Sequence, residues 1–223
     1  MMMGLFAFLT SVGCNSIPLA SNQGAQSGNV TIDLEVCKLQ VTLPEGGSRD
    51  FAFADRPALR SVQIDNPAMY DKWAALNLLE KYWDYEPTLT GSNAGTLRLA
   101  VRVRTVDASM EFDPNDLQSF RSSVERLAIS QAQAFYSSLK SQGRATINSD
   151  APMGFRSQLI GHGEWIAYER RSSRTEIFVR PLDSTHFVEF IFSYISNSKT
   201  DSWVAAASKD IEKILTGVLI SRN

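Results

Sequence analysis

Residues able to do chemistry are few in this sequence of 223 residues, which contains two histidines and two cysteines. The histidines are His162 and His186, and the cysteines are Cys14 and Cys37. Nucleophilic catalysis needs a base within hydrogen-bond reach of the nucleophile, yet no Gly-x-Ser-x-Gly elbow accompanies either histidine. Neither histidine lies at a metal-ligand spacing from Cys, Asp or Glu. We therefore expect no catalytic residue, no metal site and no cofactor, and a protein that works by binding.

Two further patterns lead to the same expectation. Glu164 and Glu169 lie five residues apart on a predicted strand, so their side chains point to opposite faces and do not form a carboxylate pair. The glycine-containing segment at residues 91–95 lacks the lysine of a phosphate-binding loop. We interpret His162 as a polar residue in a turn and His186 as a surface residue that opens a strand.

Three arginines have a spacing that suits binding. Apolar and polar residues alternate between Gly95 and Val106, which predicts a strand. Arg98, Arg102 and Arg104 then project from the same face of that strand. Such a face is either solvated and salt-bridged, or a contact for an acidic partner surface or anionic head groups, since Arg is favoured in interfaces. We take these three arginines as candidate partner-binding residues.

A second binding candidate is the aromatic run at residues 82–85, which holds Trp83 and Tyr85. Asn66 and Pro67 suit the start of a helix, and apolar residues at helical spacing extend it to Tyr85. Three aromatic residues in four cannot all face one core from the end of a helix. At least one is expected at the surface, where Trp and Tyr are typical hot spots. Trp83 and Tyr85 are therefore candidates too, with core packing as the alternative.

The N-terminal segment indicates where the protein resides. Residues 1–13 are mainly apolar but too short to span a bilayer, as in the hydrophobic region of a secretion signal. The four residues that end at Cys14 (Ser-Val-Gly-Cys) resemble a bacterial lipobox, in which the cysteine is lipidated after cleavage. The resemblance implies that residues 1–14 are a signal segment and lipobox and that Cys14 carries a lipid anchor on the periplasmic side. The residue after the cysteine is Asn15. By the sorting rule known for enteric lipoproteins, the absence of Asp at this position implies the outer membrane.

Residues 15–29 are mostly small, polar and uncharged, and we expect a flexible tether there. Residues 30–223 are predicted to form a single domain. Strands and helices come in blocks, with a long helix from Asp113 to about Ser141 and a closing helix from about Ser202 to Leu219. Blocks of this kind favour an α+β fold with a mainly antiparallel sheet and helices packed on it. We expect Cys37 to be a buried strand residue with no redox role.

Two family resemblances add to this interpretation. A strand that ends in Leu43-Pro44-Glu45-Gly46, a long central helix and a three-stranded meander before a last helix resemble the PsbP-like α/β/α sandwich. That resemblance implies a structural or assembly accessory of a membrane complex. Residues 36–46, with a cysteine, a short β segment and a Leu-Pro turn, resemble the opening of the immunity lipoproteins that protect bacteria from type VI secretion phospholipase effectors. That resemblance implies a non-catalytic lipoprotein that binds and neutralises an effector.

The charge balance narrows the class of partner. The sequence has 22 basic and 24 acidic residues and a formal net charge of −2. A nucleic-acid binder normally shows a basic excess, so we expect no nucleic-acid partner. The expected partners are a protein, bound by a monomer, and the membrane, contacted through the lipid anchor. The favoured function is immunity against a type VI secretion effector, and the alternative is the accessory role.

Overall fold

The computed structural model describes residues 28–45, 59–85, 94–143, 151–196 and 201–222. Cys14, the signal segment and most of the expected tether lie outside the described residues. In the described ranges the chain forms nine strands and two α-helices. In chain order they are β1 (Gly28–Asp33), β2 (Cys37–Leu43), β3 (Ala75–Tyr85), β4 (Gly95–Thr105), α1 (Leu117–Ser141), β5 (Met153–Ile160), β6 (Gly163–Arg170), β7 (Thr175–Pro181), β8 (His186–Ser196), α2 (Val204–Thr216) and β9 (Leu219–Arg222).

Two antiparallel sheets organise these strands. The larger has six strands in the order β3-β4-β8-β7-β6-β5, and the smaller has three in the order β1-β2-β9. The predicted α+β class with a mainly antiparallel sheet and helices packed on it is confirmed. Within the described ranges, no helix combines the length and apolar character needed to cross a membrane.

Each face of the six-stranded sheet is covered by one helix. The face we call the first face carries Ala100, Ile177 and Ile191, which pack with Phe120 and Val124 of α1. The opposite, second face joins α2 and the three-stranded sheet in one larger core. Its largest fully buried side chains include Trp165, Trp203, Phe190, Phe192, Leu97 and Leu99. Strand β8 is central and covered on both sides, so its burial is nearly continuous and does not alternate.

The predicted helix up to Tyr85 is wrong. Only Pro67–Met69 forms a short helical turn, capped by Asn66, and β3 then runs from Ala75 to Tyr85. A β-bulge between Asn77 and Leu79 explains the misleading pattern. The extra residue places Leu76 and Leu79 on the same face, opposite Val103 and Val101, although they are three residues apart. Apolar residues three apart also occur on the buried face of a helix, so the sequence of this bulged strand has the pattern of a helix.

Smaller differences concern the ends of elements. Helix α1 starts after Asp116, whose side chain accepts a hydrogen bond from the Gln118 backbone N–H, and it ends at Ser141 as predicted. Helix α2 ends at Thr216, and Leu219, predicted to be helical, belongs to β9. Strand β1 begins at Gly28, so the last two residues of the expected tether are in a strand.

Candidate binding groove

The polar part of the first face is one row of side chains across four neighbouring strands. The strand register pairs Arg98 of β4 with Ser193 of β8, Ser193 with Thr175 of β7, and Thr175 with Arg170 of β6. Neighbouring strands lie about 4.8 Å apart, so three steps separate the two arginine backbones by about 14 Å. Four residues from Arg98 along β4 and four from Ser193 along β8, Arg102 stands opposite Glu189. The sheet thus brings arginines from distant parts of the sequence to one surface.

Helix α1 covers only part of this face. Its buried residues, which include Phe120, Val124 and Leu127, all lie in its first half and pack on the apolar side chains of the sheet. Beneath the second half a cavity of about 390 Å³ remains, which we call the arginine groove. Its sheet side is lined by Arg98, Arg102, Arg104, Arg170, Ser173, Thr175, Ile177, Glu189, Ile191 and Ser193. Its helix side is lined by Trp73, Gln131, Ala132, Phe135 and Tyr136.

The helix side of the groove is a mainly apolar wall. Trp73 meets Phe135 edge-on with 6.3 Å between ring centroids, and the Gln131 side-chain amide donates a hydrogen bond to the Trp73 carbonyl at 3.2 Å. These contacts fasten the segment before β3 to α1. Phe135 nevertheless remains 48% exposed, so its ring is available to a ligand. Helical periodicity alone predicts that Phe135 is buried with Phe120 and Val124, and this is wrong because the sheet below Phe135 presents arginines instead of apolar side chains.

The sheet side of the groove carries more cations than anions. Arg98 Nε lies 2.7 Å from Glu80 Oε1. Glu189 serves two arginines, with Arg102 Nε at 3.3 Å and Arg104 Nη1 at 3.8 Å from its Oε2. The four arginines that line the groove therefore face two carboxylates in the described ion pairs, which leaves two positive charges in excess.

Some of these cations are buried with unused donors. The Arg104 side chain is 7% exposed. Its Nε, like that of Arg170, is buried and has no hydrogen-bond partner among the described residues. A buried donor without a partner costs about 1–3 kcal/mol, so the protein keeps these guanidinium groups beside the groove at a cost to its stability. Tyr168 donates to Glu189 Oε1 at 3.0 Å, and its burial and the nearby Glu189 charge raise the pKa of this phenol, so the phenol stays a donor.

The structure brings together three of the five predicted binding residues. Arg98, Arg102 and Arg104 all line the arginine groove, although Arg104 is buried rather than solvent-facing. Trp83 is 5% exposed and belongs to the core of the second face, so it offers a partner almost no surface. Tyr85 also lies away from the groove.

Tyr85 is half-buried and holds α2 against the sheet. It stacks on Trp203 with 5.6 Å between ring centroids and donates a hydrogen bond to Asp210 Oδ2 at 2.8 Å. Burial and this hydrogen bond raise the pKa of the Tyr85 phenol. The expectation that an aromatic residue at this point reaches the surface assumed a helix end, and the observed strand gives both aromatic side chains a buried contact.

The two histidines differ in their surroundings. His162 is exposed in the turn between β5 and β6, as predicted. His186 is 6% exposed, so the prediction of a surface residue is wrong. Its Nδ1 lies 2.9 Å from Asp183 Oδ2, and this partner in the preceding turn lets the ring be buried. Hydrogen bonds from His186 and Thr185 outweigh the burial of Asp183 and lower the pKa of its carboxyl to about 2.

Cys37 is buried in β2 as expected, and burial raises the pKa of its thiol to about 11. A thiol with that pKa is a poor nucleophile near neutral pH. Among the described residues, no group of three or more His, Cys, Asp or Glu side chains is arranged to hold a metal ion.

Comparisons of the chain with protein-family models, with curated proteins and with solved structures find no match. The geometry of the arginine groove is therefore the basis for a functional proposal.

Proposed function

We propose that this chain is a non-catalytic binding protein, anchored to the periplasmic face of the cell envelope through Cys14, whose arginine groove receives an acidic segment of a protein partner. The observation that carries the proposal is the excess of two positive charges in the groove beside the half-exposed ring of Phe135. Arginine and aromatic side chains are enriched at protein interfaces and dominate their binding energy. A groove built on a six-stranded sheet also holds these groups in place before the partner arrives.

The partner that we propose is a secreted toxic effector, which the chain neutralises as an immunity protein. Two features of the sequence support this choice: the resemblance of residues 36–46 to type VI immunity lipoproteins, and the lipobox-like segment that ends at Cys14. A protein anchored at the outer membrane would meet an injected effector in the periplasm. An accessory role in a membrane complex, implied by the PsbP-like order of elements, predicts a different set of captured proteins.

The test is an affinity capture with paired variants. The full chain, tagged at its C-terminus and extracted in detergent, is compared with Arg170→Gln and with Arg171→Gln. Arg170 lines the groove and makes no ion pair with another described residue, so its replacement leaves no carboxylate unpaired. Arg171 is the matched control, because it has the same charge, lies one residue away in the turn and is 73% exposed.

We expect the wild type and Arg171→Gln to retain one stoichiometric partner of toxic-enzyme type, and Arg170→Gln to lose it. Deletion of the gene should make cells sensitive to neighbours that carry that partner. Recovery of subunits of a membrane complex would support the accessory role instead. A deletion strain that remains fully resistant would contradict the immunity proposal.

The anchor is tested separately by fractionation of cells. The wild-type chain should sediment with outer membranes, and Cys14→Ser should appear in the soluble periplasmic fraction or keep an uncleaved signal segment. A wild-type chain found wholly in the soluble fraction would contradict the proposed lipid anchor.

A further inference from the structure

We infer that the segment received by the arginine groove is extended and alternates in character, with an acidic residue at positions i and i+2 and a large apolar residue between them. The inference rests on the proposed function, and it specifies what the partner must present. It follows from three properties of the groove: its charge, the arrangement of its two walls, and its size.

The charge of the groove sets the number of acidic groups. Four arginines and two carboxylates leave an excess of two positive charges in the described part of the site. The side chain of Arg104 lines the groove, is more than nine-tenths buried and has an Nε without a hydrogen-bond partner among the described residues. Burying cations without counter-charges is unfavourable, so the ligand that fits best brings about two negative charges. One carboxylate leaves a cation unpaired, whereas three or more introduce repulsion.

The two walls of the groove determine the order of residues in the ligand. The arginines stand on the sheet side, and Trp73, Ala132 and Phe135 stand on the helix side. A segment lying between the walls meets cations on one side and aromatic rings on the other. Successive side chains of an extended chain point to opposite sides, and residues i and i+2 point to the same side about 6–7 Å apart. Two acidic residues that flank an aromatic residue therefore satisfy both walls at once.

The size of the groove favours a short ligand. A cavity of about 390 Å³ is at the lower end of the range for pockets that bind drug-sized molecules. A segment of about three residues fits such a volume, with its backbone near the hydroxyls of Thr175 and Ser193. The ligand class is thus a short acidic–aromatic–acidic peptide segment.

The test uses labelled heptapeptides and the full chain with Cys14→Ser, which prevents lipidation. The probe contains Glu-Phe-Glu between Gly and Ser residues. Three matched peptides contain Gln-Phe-Gln, Glu-Ala-Glu and Glu-Glu-Phe, so they change the charge, the apolar group and the order respectively. Fluorescence anisotropy at low salt gives the Kd of each. The Glu-Glu-Phe peptide has the same composition and net charge as the probe, so it isolates the effect of alternation.

We expect the Glu-Phe-Glu peptide to bind at least tenfold more tightly than Gln-Phe-Gln, since hydrogen bonds to charged groups are the stronger ones. Glu-Ala-Glu and Glu-Glu-Phe should each bind several-fold more weakly than the probe. Binding of the probe should weaken as salt is raised, because part of it is electrostatic. Equal Kd values for Glu-Phe-Glu and Glu-Glu-Phe would overturn the inference, and so would equal values for Glu-Phe-Glu and Gln-Phe-Gln.

Paired variants place the binding in the groove. Arg170→Gln should weaken the probe about tenfold, and Arg171→Gln should leave it unchanged. Phe135→Ser should weaken the probe several-fold, whereas Ile129→Ser should not. Ile129 is 39% exposed on the same helix but does not line the groove, so the two substitutions remove apolar groups of comparable exposure. A probe affected equally by both members of either pair would refute binding in the groove.

The outcomes separate this inference from the proposed function. If a captured partner depends on Arg170 but the probe does not bind at millimolar concentration, the inference fails and the proposed function stands. If the captured partner is unaffected by Arg170→Gln while the probe binds with the expected pattern, the proposed use of the groove fails. Binding of phosphatidylglycerol vesicles that depends on Arg170, without any preference among the peptides, would overturn the inference in favour of anionic head groups.

Discussion

Replacement of Glu189 by Gln tests whether the buried charges of the groove are coupled as their geometry indicates. Glu189 is the carboxylate nearest to both Arg102 and Arg104, and its side chain is 6% exposed. Glutamine keeps the shape of the side chain and can still accept the hydrogen bond of Tyr168. The variant therefore removes the negative charge and leaves two largely buried guanidinium groups without it.

The expected magnitude follows from burial. Breaking a buried ion pair by neutralising one partner costs about 3–5 kcal/mol, and the lower end applies here because Arg102 is 27% exposed. Glu80→Gln affects Arg98, which is 37% exposed, and should cost about 1 kcal/mol. Glu169→Gln affects Arg171, which is 73% exposed, and should cost less than about 0.5 kcal/mol. The same Glu→Gln substitution is thus predicted to lower the free energy of unfolding by three different amounts, which follow the burial of the paired arginine.

Urea unfolding of the three variants, each in the chain with Cys14→Ser, measures these costs. With a slope of about 3 kcal/mol per molar urea for a chain of this size, Glu189→Gln should lower the midpoint by about 1 M at unchanged slope. Glu80→Gln should lower it by about a third of that amount, and Glu169→Gln should barely move it. Equal midpoints for Glu189→Gln and Glu169→Gln would refute the claim that the arginines of the groove are buried against Glu189.

Three further predictions concern other parts of the fold. Gly95→Ala would place a methyl carbon 2.0 Å from Trp203 Cε2, so it should lower the free energy of unfolding by about 3 kcal/mol. An unchanged urea midpoint for this variant would contradict the close packing of Trp203 on Gly95. Cys37, whose thiol pKa is raised to about 11 by burial, should not react with a chromogenic disulfide reagent at pH 8 until urea unfolds the Cys14→Ser chain, and rapid reaction of the folded chain would show that it is accessible. Asp183 has a pKa of about 2 against an ordinary 3.8, so its ionised form contributes stability above about pH 4 that is lost as the pH falls towards 2. Asp183→Asn should therefore reduce the dependence of the free energy of unfolding on pH between about pH 4 and pH 2. An unaltered pH dependence in this range would rule out the contribution.

The arginine strand could be predicted from the sequence because its signal is local. Apolar and polar residues alternate along β4, and a period of two places Arg98, Arg102 and Arg104 on one face wherever the strand lies in the fold. The same reasoning failed for β3, where the bulge near Leu79 changes the period within the strand. No feature of that segment taken alone distinguishes a bulged strand from a helix face, so the sequence does not decide between partner binding and core packing for Trp83.

The rest of the groove depends on strand pairing between segments far apart in the sequence. Arg170 joins the site only because β4, β8, β7 and β6 are neighbours in a particular register. The turn at residues 171–174 pairs Arg170 with Thr175, but a local turn does not indicate which strand lies beyond Thr175. Likewise, the helical periodicity of α1 is continuous through Phe135. Whether that residue is buried depends on the polarity of the sheet surface beneath it, which the helix sequence does not contain.

The cost of the buried charges is itself an argument for a binding role. Replacing a buried ion cluster by apolar residues of similar volume is often neutral or stabilising by about 1–4 kcal/mol, so stability alone gives little reason to keep Arg102, Arg104 and Glu189. We predict that a variant with four substitutions folds and has an unchanged or higher urea midpoint. Three of them replace the charged cluster: Arg102→Leu, Arg104→Met and Glu189→Leu. The fourth, Tyr168→Phe, removes the hydroxyl that would otherwise lose its acceptor. The same variant should lose the Glu-Phe-Glu peptide and the captured partner. A strongly destabilised variant would instead mean that the cluster holds the sheet together, and the argument from its cost would fail. Retained stability with lost binding would show that these charges are kept for a ligand, because proteins commonly give up stability at the sites where they function.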